Sequence, residues 1–218
     1  MRKLSIVLLS LLWSLSLSVA ATAQGKSPTL RDEVREKGLV WRISYPDWLF
    51  LASLEQMVSQ SHIIFRGRVI NEKTRLSADE DHVLTDYTIE VSEVYKDSLQ
   101  AVRPGKTLVI TKAGGNLVLD GKPVRIDTPT FPPLKWVTPH IFFIARPDWP
   151  GADFQYYFVG DSLGALALEN DRIVCKGQDE KLRHPITKAF CNKFGGKDEF
   201  LQVLNDRIVA LKKSPLQP

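Results

Sequence analysis

The chain predicts a mainly β protein of the α+β class: a small, largely antiparallel barrel of about eight short strands, with a helix before it and C-terminal helices packed on it. Three observations carry this expectation. Between Ile63 and Val174 short segments alternate apolar and polar residues, the period of a strand half-buried in a sheet. Gly, Pro and Asn-Asp breaks separate them at short intervals. No strand–helix–strand alternation is present, which argues against a parallel nucleotide-binding sheet and leaves barrel closure as the natural way to bury the apolar faces.

The elements follow in chain order. Met1-Arg2-Lys3, an uncharged run from Leu4 to Val19 and Ala21-Thr22-Ala23 have the order of a cleavable secretory signal, with cleavage expected before Gln24. The apolar run is interrupted by serines and is short for a membrane span of ~20 apolar residues. Residues 24–50 are expected to form an N-terminal arm. Within it Ser27-Pro28 starts a short helix that Gly38 ends, and Leu39 to Phe50 packs Trp41, Tyr45 and Trp48 onto the body. Residues 51–177 are the barrel domain. Leu51, Leu54, Met57 and Val58 have helical spacing, after which Ile63, Phe65, Gly67 and Val69 alternate as a strand.

Asn71 to His82 reads as a polar loop. Thr85 to Val94 alternates again, with Val94 on the opposite phase, the mark of a β-bulge. Leu108 to Thr111 is a strand, and Leu117 to Ile126 a hairpin turning at Asp120-Gly121. Four prolines stiffen 127–139. Ile141 to Ala145 is uninterruptedly apolar, as a strand covered on both faces requires. Phe154 to Val159 is a further strand, and 165–168 with 172–174 a hairpin through Asn170-Asp171. Residues 178–218 form a helical segment. His184-Pro185 opens a short helix, and Phe200, Leu204 and Ile208 line one face of a longer one that packs on the barrel.

Removing the signal takes Arg2 and Lys3 away and leaves 27 basic residues against 25 acidic, a net charge of +2. With no basic cluster the chain has no nucleic-acid footprint. The expected location is periplasmic or secreted, with no membrane attachment after cleavage. Cys175 and Cys191, the two cysteines, would form one disulfide there, worth roughly 3 kcal/mol in the chain-entropy picture.

The stretch from Leu54 through Ile63-Ile64-Phe65-Arg66-Gly67-Arg68-Val69, then Tyr87-Thr88-Ile89-Glu90-Val91 with Lys96, then Leu108 to Gly114-Gly115, resembles a group of uncharacterised exported bacterial proteins. Their layout is similar in turn to the OB-like barrel of netrin-like and metalloprotease-inhibitor domains. The resemblance covers about residues 50–145 and implies fold more than function. That inhibitor family works through an N-terminal cysteine, and Gln24-Gly25-Lys26 offers none.

Gly160-Asp161-Ser162-Leu163-Gly164 fits G-x-S-x-G and makes Ser162 a candidate nucleophile. A hydrolase also needs a base, and His184 lacks the aspartate three residues earlier that the esterase pattern demands. A Gly-Asp-Ser turn between two strands is the preferred reading. Asp79-Glu80-Asp81-His82 bunches carboxylates without the alternate spacing and glycine of a calcium loop, and no metal or other cofactor is expected. Trp136, Trp149 and Tyr156 are the candidate ligand-binding aromatics, with Trp41, Trp48 and Tyr157 as further candidates. The expected function is a non-enzymatic exported binding module whose partner is a protein or a cell-envelope polymer. A serine hydrolase and a netrin-like inhibitor are the alternatives.

Overall fold

A computed structural model describes residues 28–43, 53–128, 131, 133–174, 193, 194 and 196–213, with only the backbone at 161 and 162. The expected signal segment, Cys175, Cys191 and the helix at His184 lie outside these residues, as do Tyr45 and Trp48.

The elements are α1 (Leu30–Lys37), β1 (Val40–Ile43), α2 (Leu54–Gln60), β2 (Ile63–Leu76), β3 (Val83–Asp97), β4 (Thr107–Ala113), β5 (Gly115–Leu119), β6 (Lys122–Asp127), β7 (His140–Ala145), β8 (Tyr157–Phe158), β9 (Ala165–Glu169), β10 (Arg172–Val174) and α3 (Lys197–Lys213). The protein is mainly β. Strands β7, β2, β3, β4 and β8 pair in that order, and β8 pairs back onto β7, closing a five-stranded OB-like barrel. β9 and β10 extend the sheet beyond β7. A separate sheet runs β1-β6-β5, with β1 parallel to β6.

Alternation along the strands divides the core. Ile63, Phe65, Ile89, Ile110, Phe142 and Ile144 point into the barrel. Ile64, Ile141, Phe143 and Ala145 point outward, where α2 and α3 cover them with Met57, Val58, Phe200, Leu204 and Ile208. β7 is therefore buried on both faces, as its unbroken apolar run requires. A third cluster joins Leu30 and Val34 of α1 to Val40, Val124, Leu119 and the barrel's Val83.

Local chemistry sets the ends. Thr29 and Asp32 form a reciprocal capping box at the start of α1, and Gly38 at φ 84° ends it. Ser53 caps α2 by accepting from the Gln56 N–H. Asn170 and Asp171 both adopt positive φ in the β9–β10 turn. A Cβ on Gly67 would lie 2.5 Å from the Glu90 carbonyl, so the bulged crossing of β2 and β3 has room only for glycine.

Several expectations change. Residues 71–76 are strand: polar 71–75 and the apolar Leu76 continue a hairpin arm past the bulges, and the connecting loop is only 77–82. The arm at 40–43 is a strand of the small sheet, and Trp41 is 65% exposed instead of packed on the body. The strand expected over 154–159 shortens to Tyr157–Phe158.

Candidate functional site

The strands do not keep one inward phase. On β2 the odd residues Ile63, Phe65 and Val69 face the barrel interior. Ile70 is then bulged out: Val69 pairs with Ile89, but Asn71 pairs with Thr88. The extra residue reverses the phase, so the even residues Glu72 and Thr74 continue the inner face. They stand opposite Tyr87 and Thr85 of β3, and Thr85 stands opposite Lys112 of β4. A second irregularity at Ser92 brings Val94 against the barrel interior, as its phase in the sequence requires.

This inner face does not end in solvent. Gly115 and Asn116 of β5, Asp127 of β6, and Thr128 and Phe131 beyond it stand across from the strand residues, enclosing a cavity of about 260 Å³. Its floor is Tyr87 and Phe131, each 2% exposed and both part of the barrel core. The cavity is therefore the mouth of the barrel, with one wall on each sheet.

Hydrogen bonds brace the walls. The Thr85 hydroxyl donates to the Gly114 carbonyl at 2.6 Å and lies 3.3 Å from the Thr74 hydroxyl. A Cβ on Gly115 would fall 2.3 Å from the Thr85 hydroxyl oxygen, so this corner has space for glycine only. Lys112 Nζ donates to the Phe131 carbonyl at 2.7 Å and sits 4.8 Å from that ring's centroid, pinning Phe131 over the barrel end. Burial, reinforced by the charge of Glu72, raises the Tyr87 phenol pKa, and a backbone hydrogen bond from Leu134 opposes the shift only in part. Tyr87 is neutral at any physiological pH.

Asp127 is the best-held charge at the mouth. It accepts from Arg125 Nε at 2.9 Å and from Trp41 Nε1 at 2.8 Å. The Arg125 hydrogen bond, aided by Trp41 and by the charges of Arg125 and Lys112, holds its carboxyl below the ordinary value despite partial desolvation.

A second cavity, about 550 Å³, lies between the 77–82 turn and the 149–154 loop. Trp149 lines it, packed on Phe154 and Tyr157 with ring centroids at 6.0 and 5.3 Å. Arg75 anchors this region. Its Nε donates to Asp86 and its Nη1 to Asp153, each at 2.7 Å, while the Ala78 N–H donates to Asp153 at 2.8 Å. Burial lowers the Arg75 pKa, but the two carboxylates outweigh it and the net shift is upward. The groups nearest this cavity are thus already engaged in tying loop to hairpin.

The other candidates from the sequence are scattered. Trp136 is 52% exposed on the loop before β7, Trp149 follows β7, and Tyr156 is 4% exposed inside the barrel. Trp136 and Tyr156 line neither cavity. Ser162 lies in a turn of 3-10 helix, Asp161–Gly164, after Gly160 at φ 74°. Strand β9 follows it directly, where a nucleophile elbow requires a helix. The acidic run at 79–82 is spread over separate partners: Asp79 accepts from Ser77 Oγ at 2.5 Å, and Glu80 pairs with Arg31 at 2.9 Å. Among the described residues no group of three or more His, Cys, Asp or Glu is placed to hold a metal ion, and no helix is long and apolar enough to cross a membrane.

No family model matches the chain, and no curated protein matches it. The barrel mouth was not singled out by sequence reading. The one signal for it was the loss of phase after Val69, masked by the polarity of residues 71–75.

Proposed function

We propose that this chain is an exported, non-enzymatic binding module and that the barrel mouth is its ligand site. One observation carries the reading: a braced cavity whose floor is core aromatic rings and whose rim presents Glu72, Thr74, Lys112, Asn116 and Asp127 from two different sheets. Binding sites are concave, largely preformed and carry a few convergent polar groups. This cavity is small for a whole organic ligand and unusually polar. It suits one unit of a longer molecule, such as a segment of a cell-envelope polymer or the end of a partner chain. The sequence supports export through Met1 to Ala23.

The test is a series of amide NMR titrations with neutral oligosaccharides, tripeptides and a heparin-derived oligosaccharide. Shifts concentrated at Glu72, Thr74, Lys112 and Asn116, and lost in Asn116→Trp, are expected for at least one probe class. Asn116 is exposed, so the bulky substitution fills the opening without disturbing the core. Shifts that leave those four residues unmoved by every probe would overturn the reading.

A further inference from the structure

We infer that the barrel mouth takes a neutral polysaccharide chain, with one sugar ring stacked on Trp41 and the neighbouring unit's hydroxyls entering the cavity. The inference rests on the barrel mouth being the ligand site. It adds the ligand class and the residue that selects it.

Trp41 is the largest apolar side chain on an open sheet face. Its indole is 65% exposed on the outer face of the β1-β6-β5 sheet, two residues from Ile43 on the same strand, itself 52% exposed. An indole left that exposed normally sweeps through several rotamers. This one is fixed, because its Nε1–H donates to Asp127 at 2.8 Å and Asp127 is itself held by Arg125. Binding to a pre-oriented ring avoids the entropy of ordering it. The flat apolar ring with one polar edge suits a ligand that has both an apolar face and polar equatorial groups, and a pyranose ring has both.

The platform and the cavity are continuous. Trp41 stands in register with Arg125, and Arg125 with Asn116, so the three form one row across the sheet. Asn116 and Asp127 also line the cavity. A chain of units lying on Trp41 therefore reaches the mouth without leaving the surface. Charge selects among such chains. Glu72 and Asp127 are balanced by Lys112 and Arg125 around the opening. A polyanion would meet the two carboxylates and a polycation the two bases, each without net compensation. An uncharged polyhydroxyl chain finds planar amide, carboxylate and guanidinium groups that hydrogen-bond hydroxyls from either side.

The test uses titration calorimetry and tryptophan fluorescence with cellotetraose and the N-acetylglucosamine tetrasaccharide. At least one should bind, with a change in emission. Trp41→Ala should weaken it by about tenfold or more, the loss of roughly 1.4 kcal/mol of stacking. Trp41→Phe should fall between, keeping a ring but losing the bond to Asp127. Trp149→Ala should bind as the parent does. Trp41 is exposed, and circular dichroism of Trp41→Ala should match the parent. Unchanged affinity in Trp41→Ala would overturn the platform. If neither saccharide binds while a tripeptide or heparin-derived oligosaccharide shifts the mouth amides, the glycan assignment falls and the mouth stands as the site. If no probe moves the mouth, the site itself is wrong and this inference falls with it.

Discussion

Lys96 reaches from β3 across to the end of helix α2, where its Nζ donates to the Ser61 carbonyl at 2.6 Å and the Val58 carbonyl at 2.7 Å. The last carbonyls of a helix have no partner within it, and a lysine there satisfies them and complements the helix dipole. Burial pulls the Lys96 pKa down, so these bonds are formed at the cost of partial desolvation. They bind the helix, the first barrel strand and the end of β3 into one unit. Lys96→Met keeps the aliphatic stem and leaves two carbonyls without their donor. It should lower stability by roughly 1–3 kcal/mol, read as a lower denaturant midpoint with an unchanged slope. An unchanged midpoint would show that the contacts contribute nothing net.

Arg75 ties two segments that share no strand pairing. It joins the β2–β3 hairpin, through Asp86, to the 149–154 loop, through Asp153. The three side chains are 20–26% exposed, so the pairs are partly desolvated. Arg75→Ala leaves two carboxylates together without their counter-charge and should cost roughly 2–4 kcal/mol. The distinguishing readout is local: the Ala78 amide, which donates to Asp153, should exchange faster with solvent than the barrel amides do. Uniform acceleration across the barrel would instead place the effect in global stability.

Gly115 opens β5 at φ 136°, a conformation that side chains rarely adopt. Its missing Cβ also leaves room for the Thr85 hydroxyl. Gly115→Ala should lower the melting temperature, at a cost of roughly 1–3 kcal/mol of backbone strain before the steric term. It should also separate Thr74 from Thr85 and reshape the cavity, so ligand shifts at Thr74 would change even in the folded variant. A melting temperature equal to the parent's would refute the steric account.

What the sequence made legible follows from how each residue acts. Ile141 to Ala145 announced a doubly covered strand because every residue in it is apolar, and both faces of β7 are buried. Val94 announced a bulge because one apolar residue broke phase, and Ser92 is skipped in the ladder there. The bulge at Ile70 gave no such warning. The residues after it are polar, and polar residues on a strand are indistinguishable from a loop when their inward face is a wet cavity. The aromatic candidates failed to group for a related reason. Composition shows that a tryptophan exists, but not whether it points into a barrel as Tyr156 does or lies on an open sheet as Trp41 does. That distinction depends on β1 pairing with β6, residues more than eighty positions apart.

Asp127 makes the link between fold and site measurable by pH. Its folded-state carboxyl titrates below the ordinary value of 3.8, chiefly through the Arg125 hydrogen bond. A depressed carboxyl contributes stability that is present above the unfolded value and is lost as pH falls through the folded one. Its share should therefore be complete above about pH 5 and fade below 3.8. The same protonation weakens the acceptor for the Trp41 N–H, so Trp41 emission should change over that interval. The emission difference between the parent and Trp41→Phe isolates this indole from Trp48, Trp136 and Trp149. The difference should titrate with a midpoint below 3.8, and Asp127→Asn should abolish that step. Asp127→Ala, which leaves no acceptor for the Trp41 N–H, should free the indole, broadening its emission at neutral pH and weakening saccharide binding while leaving the barrel amides in place. A midpoint at or above 3.8, or a titration that survives Asp127→Asn, would mean that another group sets the orientation of the exposed ring.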